Sequence, residues 1–316
     1  MSNPVPAAAP SPSPTAADIP LLDGWPGGLT AVRAELDGID DAVHDLLMRR
    51  AEVVARLVSS GSKRPAVSGN EPVQGTPLRP GREAAIIRRL LARHAGPLPR
   101  QALVRIWREL LAATTAMQGA LVVAVCEGDA GAAFVQTARE HFGGLTPLRV
   151  YPTAGSAMAE VAEGAASVAV VPYPTDPGAA RDAWWTKLLQ NDPPRLYVTA
   201  RLPFWRPRGE GAPAAQALVV AAVAPDPSGQ DRSLLGLESN ADVSRDRLAA
   251  ALAEAGFAPL STLLRRDPVA RVAQALVEVE GFVTDDDPRV VALQRSALVR
   301  AKVLGAYPVP TDGGVA

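Results

Sequence analysis

Arg50 stands where an apolar residue belongs. Positions 29, 36, 43, 50 and 57 form a seven-residue series filled by Leu29, Leu36, Val43, Arg50 and Leu57. Val32, Ile39, Leu46 and Val53 complete a set that steps by three and four, so all of it falls on one face of a helix. A guanidinium on such a seam is costly unless an anion or a carboxylate meets it. Two readings fit: an internal Glu or Asp neutralises Arg50, or the site takes an anionic ligand. Thr114 and Gln118 repeat the pattern. They sit one turn apart beside Leu103, Trp107, Leu110, Leu111 and Met117, where a plain core has Leu or Ala. The run Glu127-Gly128-Asp129-Ala130-Gly131 supports either anion binding at a helix start or a plain tight turn. Cys126 has no histidine near it in sequence and reads as a small buried hydrophobe.

Long elements must position these residues. A helix over residues 29–57 would measure roughly 43 Å at about 1.5 Å per residue, more than one small domain covers. The stripe therefore predicts pairing with a second copy of the chain. Residues 62–80, rich in Pro, Gly, Ser and basic side chains (Lys63, Arg64, Arg79), read as a loop. A second helix starts near Gly81 behind Pro80, carries Ile86, Ile87, Leu90 and Leu91, and stops at Gly96-Pro97. A third spans about 99–118.

The texture changes at Gly119. Strands at 121–125, 148–151 and 167–171 alternate with helices at 132–141 and 156–163, which predicts an α/β layer with a parallel sheet. The proline-rich stretch 172–227 yields only two strands, 195–200 and 217–223. Beyond it come a strand at 234–238, a helix at 244–255 closed by Gly256, and strands at 259–264 and 275–283. A helix at 287–302 and a strand at 303–309 complete β-α-β-β-α-β, a ferredoxin-like sandwich suited to a small effector or a partner copy.

Composition sets the bounds. A chain of 316 residues, 47% hydrophobic, has room for two or three domains with real cores. Its 32 basic and 33 acidic residues leave a net charge of -1, which offers nothing to nucleic acid or to an anionic membrane surface. A single cysteine excludes an internal disulfide framework and points to a reducing compartment. No apolar run approaches the roughly 18 residues of a membrane-spanning helix. Residues 1–20, mostly Pro, Ala and Ser, lack a basic start and an apolar core, so they read as a disordered tail and not as a signal peptide. The expectation is a soluble, cytoplasmic protein.

The first third resembles the all-helical chorismate mutases, and the whole chain resembles the bifunctional chorismate mutase–prephenate dehydratases. The resemblance rests on Val32-Arg33, Ile39-Asp40-Asp41, Leu46-Leu47 and Arg49-Arg50 in the first helix. Arg82-Glu83 carries it in the second, and Trp107, Thr114 and Gln118 in the third. It implies a multidomain chain. A disordered tail (1–25) would precede an all-α three-helix mutase domain forming an intertwined dimer (26–119). A small degenerate dehydratase-like α/β region (120–228) and a ferredoxin-like, ACT-like α+β domain (229–310) would follow. It also implies that Arg50 and Arg82 hold the two carboxylates of chorismate and that Arg33 reaches in from the partner subunit. Glu83 would take the hydroxyl, Gln118 the ether oxygen, and Thr114 would hydrogen-bond a carboxylate. The product would be prephenate, with no metal and no cofactor.

Several positions depart from the family pattern. The lysine expected 11 residues after Arg50 falls on Gly61, so Lys63 is the residue expected to reach the ether oxygen, with Arg64 behind it. The position three before Arg82, often acidic in the family, is Arg79. Val168-Ala169-Val170-Val171-Pro172 resembles a dehydratase strand, but Tyr173-Pro174-Thr175 follows it in place of a Glu-Asn-Thr-type run. No Thr-Arg-Phe motif is found, and only about 100 residues separate Gly119 from the terminal domain. The ACT likeness rests on Val277-Glu278-Val279-Glu280-Gly281 and Leu304-Gly305-Ala306-Tyr307-Pro308. Leu263-Leu264-Arg265-Arg266 stands where a Glu-Ser-Arg-Pro stretch is expected. The reading is therefore a chorismate mutase of phenylalanine and tyrosine biosynthesis. The alternatives are a bifunctional mutase–dehydratase and a non-catalytic dimeric regulator.

Overall fold

The computed structural model describes residues 28–59 and 77–312, apart from 129–130, 176–179, 191, 208, 214, 268 and 296–298. The expected tail, Lys63 and Arg64 lie outside the described residues. The chain divides into two units, Met1–Arg56 and Leu57–Ala316. The first holds nearly all of α1 (Gly28–Ser59). No residue of α1 is buried. The apolar stripe lies open, with Leu36 55% and Leu46 66% exposed. No helix among the described residues is long and apolar enough to cross a membrane.

The second unit begins with α2 (Pro80–Arg93) and α3 (Arg100–Ala116). Buried apolar runs then make β1 (Val123–Cys126) and β3 (Val168–Pro172), and a half-exposed edge strand makes β2 (Leu148–Tyr151), linked through α4 (Ala132–Phe142) and α5 (Ala154–Ala162). Thr153 and Ser156 form a capping box that starts α5. A 3-10 helix, Ala180–Leu189, leads into β4 (Tyr197–Leu202) and β5 (Ala217–Ala221). The chain closes with β6 (Asp231–Asn240), α6 (Arg245–Glu254), β7 (Pro259–Asp267), β8 (Val272–Glu280), α7 (Pro288–Arg295) and β9 (Val299–Pro308).

Among the described residues, nine strands join one sheet, in the order β2-β1-β3-β5-β4-β9-β6-β8-β7. The expected parallel layer holds only for β2-β1-β3; β5 runs antiparallel to both β3 and β4. The reason is connectivity. Among the described residues no helix separates β4 from β5, and neighbouring strands joined without a crossover pair antiparallel. The last four strands follow the expected β-α-β-β-α-β path with antiparallel order β9-β6-β8-β7. The final helix is shorter than its sequence suggested, because residues 299–302 pair with Ser239 to Gly236 of the long strand β6. That ladder overrides the helical preference of Arg300 and Ala301. The unassigned proline-rich stretch holds the 3-10 helix, which buries Trp184 and Trp185 against α5 and the sheet. The indole of Trp184 donates to the Pro172 carbonyl (2.9 Å).

One core runs unbroken across both halves of the sheet, from Ala124 and Val171 through Val198 and Leu218 to Leu234, Leu304 and Tyr307. Within it a carboxylate is buried. Glu278 of β8, 5% exposed, accepts from Tyr307 Oη, Tyr173 Oη (3.3 Å), Ser261 Oγ (3.2 Å), Arg201 Nη1 (3.3 Å) and Arg232 Nη1 (3.4 Å). Burial alone would raise its pKa. The Tyr307 hydroxyl and the two guanidiniums outweigh that and hold it below the ordinary value.

The two halves meet where Val198 of β4 lies beside Gly305 of β9. Gly305 has φ +140°, and a Cβ there would fall 2.1 Å from the Val198 carbonyl oxygen. Gly305→Ala should cost about 2–5 kcal/mol, the combined order of overpacking and a strained φ. Equilibrium urea unfolding checks this; a loss under about 0.5 kcal/mol, as for an ordinary surface change, would contradict it.

Candidate functional site

α2 starts at Pro80, whose missing N–H and fixed φ suit the first helical position. It buries Gly81, Ala84, Ile87 and Leu91. α3 answers with Val104, Arg108, Leu111, Thr114 and Thr115. Ala84, Ile87, Leu91, Val104 and Leu111 close into one cluster with Phe204, just after β4. The expected stripe of α3 is thus rotated by about one residue. Trp107 and Leu110 are only half-buried and Met117 is 48% exposed.

The rotation turns an arginine inward. Arg108, 4% exposed, donates through Nη1 to Glu83 Oε2 (3.2 Å) and lies over the ring of Phe204, 4.9 Å from its centroid. Burial raises the Glu83 carboxyl; Arg108 opposes the rise and the nearby Asp226 adds to it. Burial lowers the Arg108 guanidinium to about 10, against the pull of Glu83. Ten remains far above neutral pH, so the guanidinium faces Glu83 in its charged form. His141 of α4 lies well below its ordinary value, through burial first and the charge of Arg108 second, and is neutral. A cavity of about 60 Å³ opens between α3, α4 and Pro203-Phe204-Trp205, lined by Arg105, Arg108 and His141 among others. It has room for about four to six ordered waters at about 10–15 Å³ each. A second, of about 10 Å³, touches Glu83, His141 and Phe142.

Four of the sequence-predicted residues are described in this unit. Glu83 meets Arg108. Arg82 keeps its side chain exposed, while its backbone N–H donates to Asp226 Oδ2 (3.1 Å). Thr114 is buried, and its hydroxyl donates to the Leu110 carbonyl (2.8 Å), with that of Leu111 at 3.1 Å. Gln118 Nε2 donates to the Thr114 carbonyl (2.7 Å). Arg33 and Arg50 belong to the other unit. Arg33 is exposed; Arg50 is half-buried, and burial lowers its pKa. Sequence reasoning missed two residues. Arg108 interrupts the Val104–Leu111–Thr115 face, the same kind of signal that marked Arg50. Asp226, 144 positions from Arg82, gave no local signal.

The family description of chorismate mutase type II matches residues 32–119, a span that contains Arg33, Arg50, Arg82, Glu83, Thr114 and Gln118. This stretch is a chorismate mutase domain. The bifunctional chorismate mutase/prephenate dehydratase of Stutzerimonas stutzeri is 26% identical over 164 residues, 52% of this chain and 44% of the relative. That of Pseudomonas aeruginosa is 27% identical over the same shares. The match thus spans less than half the length of these curated relatives. The prephenate dehydratase of Streptococcus mutans has a TM-score of 0.43 and 14% identity, over 60% of this chain and 98% of its own.

Within the mutase domain, the Glu83–Arg108 pair makes a stability prediction. Arg108→Met strands a carboxylate that keeps only slight solvent access, at a cost of about 3 kcal/mol near neutral pH. Adding Glu83→Gln should recover most of it. A buried, raised carboxyl is stable protonated and loses stability as pH rises through its folded pKa, so the single variant's deficit should shrink towards pH 5. Urea melts of single and double variants at two pH values test this; a pH-independent deficit shared by both would contradict it.

Proposed function

We propose that the chain catalyses the rearrangement of chorismate to prephenate. The observation that carries this is the chorismate mutase match over residues 32–119. The chemistry fits the residues. The reaction is unimolecular and needs no nucleophile or base; it needs a dianion held in a compact conformer and charge stabilised on the breaking ether oxygen. Arg50 and Arg82 would hold the carboxylates, since a guanidinium fork matches a carboxylate. Thr114 would support one of them. Gln118, with Lys63, would donate to the ether oxygen, and Glu83 would take the hydroxyl. Glu83 would do so while paired with Arg108.

A second copy of the chain is the proposed partner, and it would supply Arg33. The support is the stripe of α1: Leu29, Leu36, Ile39, Val43, Leu46, Val53 and Leu57 are all at least 42% exposed in the single chain. A continuous exposed apolar face of that length marks an interface. The strands and helices from β6 to β9 are proposed as an ACT-like module, and the cytoplasm as the compartment.

The bifunctional reading has one observation in its favour. The 164 residues matched in the relatives exceed the span 32–119. Against it stand the missing Thr-Arg-Phe motif and the short middle region.

Purified protein should consume chorismate in the presence of a chelator, followed by ultraviolet absorbance. Arg50→Met should lower the rate by about two to three orders of magnitude, as when one charge-stabilising donor is lost. Prephenate at neutral pH should yield phenylpyruvate no faster than it does spontaneously. A folded wild-type chain that leaves chorismate intact refutes the mutase reading, and enzymatic phenylpyruvate restores the bifunctional one. Light scattering at micromolar concentration should give twice the 32.9 kDa chain mass; a monomer would remove the proposed partner.

A further inference from the structure

Helix α2 has no N-terminal cap of its own. Arg79 occupies the cap position with φ -134° and ψ 66°, and its side chain makes no capping bond. A guanidinium only donates, so it cannot accept from the first turn. Pro80 has no N–H. The next two, Gly81 and Arg82, donate to one carboxylate from far along the chain: Asp226 Oδ1 at 2.9 Å and Oδ2 at 3.1 Å. Glu83 N–H then returns to the Arg79 carbonyl (2.9 Å), and every donor of the first turn has its acceptor. Arg79 itself leans on Asp226, with Nε 3.4 Å from Oδ2.

The approach is tight. A Cβ on Gly81 would lie 2.1 Å from the Asp226 carbonyl oxygen, so only glycine fits there. Nearly two turns on, Arg88 ties the same helix to the same segment, donating to Ser228 Oγ (2.9 Å), the Gln230 carbonyl (3.1 Å) and the Val309 carbonyl (2.6 Å). The segment is rigid in turn. Asp231 accepts from Ser228 N–H (2.8 Å), Ser228 Oγ (2.6 Å) and Gly229 N–H (3.2 Å).

We infer that Asp226 is a positioning residue for the mutase site: its carboxylate caps α2 from outside the mutase domain and fixes the turn that carries Arg82 and Glu83. The inference rests on the mutase reading. A carboxylate that accepts two adjacent helix N–H groups sets the rotation and height of that turn, and with it the directions of both side chains.

The test is steady-state kinetics on the full-length chain with chorismate, for wild type, Asp226→Asn and Asp226→Ala. The expected order is graded. Asn keeps one acceptor oxygen and should raise KM about three- to tenfold with kcat nearly unchanged. Ala removes both acceptors and should lower kcat/KM about 10- to 100-fold, the order expected when a substrate-holding group is misplaced by up to an ångström. A capping role confined to stability would lower the melting temperature and leave KM unmoved. An active wild type with a flat series, or with Asn as impaired as Ala, overturns the positioning role alone. An inactive, folded wild type refutes the mutase reading and the positioning role with it. Should the Ala variant fail to fold, the KM of the Asn variant decides, and an unchanged value overturns the inference.

Discussion

A carboxylate in an apolar core must be surrounded by donors or it will not stay ionised. Glu278 meets that condition with groups from five other places in the chain: Tyr173 after β3, Arg201 of β4, Arg232 of β6, Ser261 of β7 and Tyr307 of β9. None of these can move far without leaving a buried charge exposed to an empty side. Arg201 also stacks on Tyr173 at 4.2 Å and donates to Gln216 (2.9 Å), which draws the end of β5 into the same network. The network crosses the line between the α/β strands and the ferredoxin-like strands. It therefore fixes the one register in which β4 and β9 can touch at Val198 and Gly305. Because the carboxyl is held below its ordinary value, its contribution is present above the unfolded pKa and fades as pH falls through the folded one.

That seam carries α2 and, through Phe204, α3. Asp231 and Pro308 are register partners at the edge of the β6–β9 pair, and the Val309 N–H donates to Gln230 O just beyond them (2.9 Å). The platform so formed presents Asp226, Ser228, Gln230 and Val309 to α2. A segment with no secondary structure of its own thus acquires a fixed shape from the sheet below it and passes that shape to the helix above. Arg88 closes the stack, since it binds the platform at one end and lies 5.7 Å from the centroid of the Phe204 ring that also receives Arg108. Arginines are suited to such positions. Their long stems pack against apolar surface while the planar head satisfies several acceptors at once.

The same physics explains why polar residues stand on the inner faces of a helical mutase domain. The proposed reaction, without proton transfer or covalent catalysis, would leave the protein only charge and shape to work with. Cations and hydrogen-bond donors must then stand where a bundle would otherwise have leucine, and each must have a counter-group in the ligand or the protein. Arg108 has found its counter-group in Glu83. Thr114 and Gln118 place their donors on carbonyls of α3.

Periodicity was enough to read most of the local structure. The extents of α1, α2 and α3, the alternation from β1 to β3 and the β-α-β-β-α-β path all follow from spacing, glycines and prolines within a few positions of each other. So did the anomaly at Arg50, and the same rule applied to α3 would have found Arg108. What spacing could not settle was which face of α3 is buried, because its apolar residues cover more than half its circumference and only Phe204, Ala84 and Ile87 choose among them. Nor could it orient β5, extend β9 at the expense of α7, or join the two halves of the sheet, since strand pairing is decided by ladders between residues far apart. Asp226 marks the limit most clearly. A carboxylate has no periodicity, and its bond to a helix 144 residues earlier exists only because the whole sheet folds to bring them together.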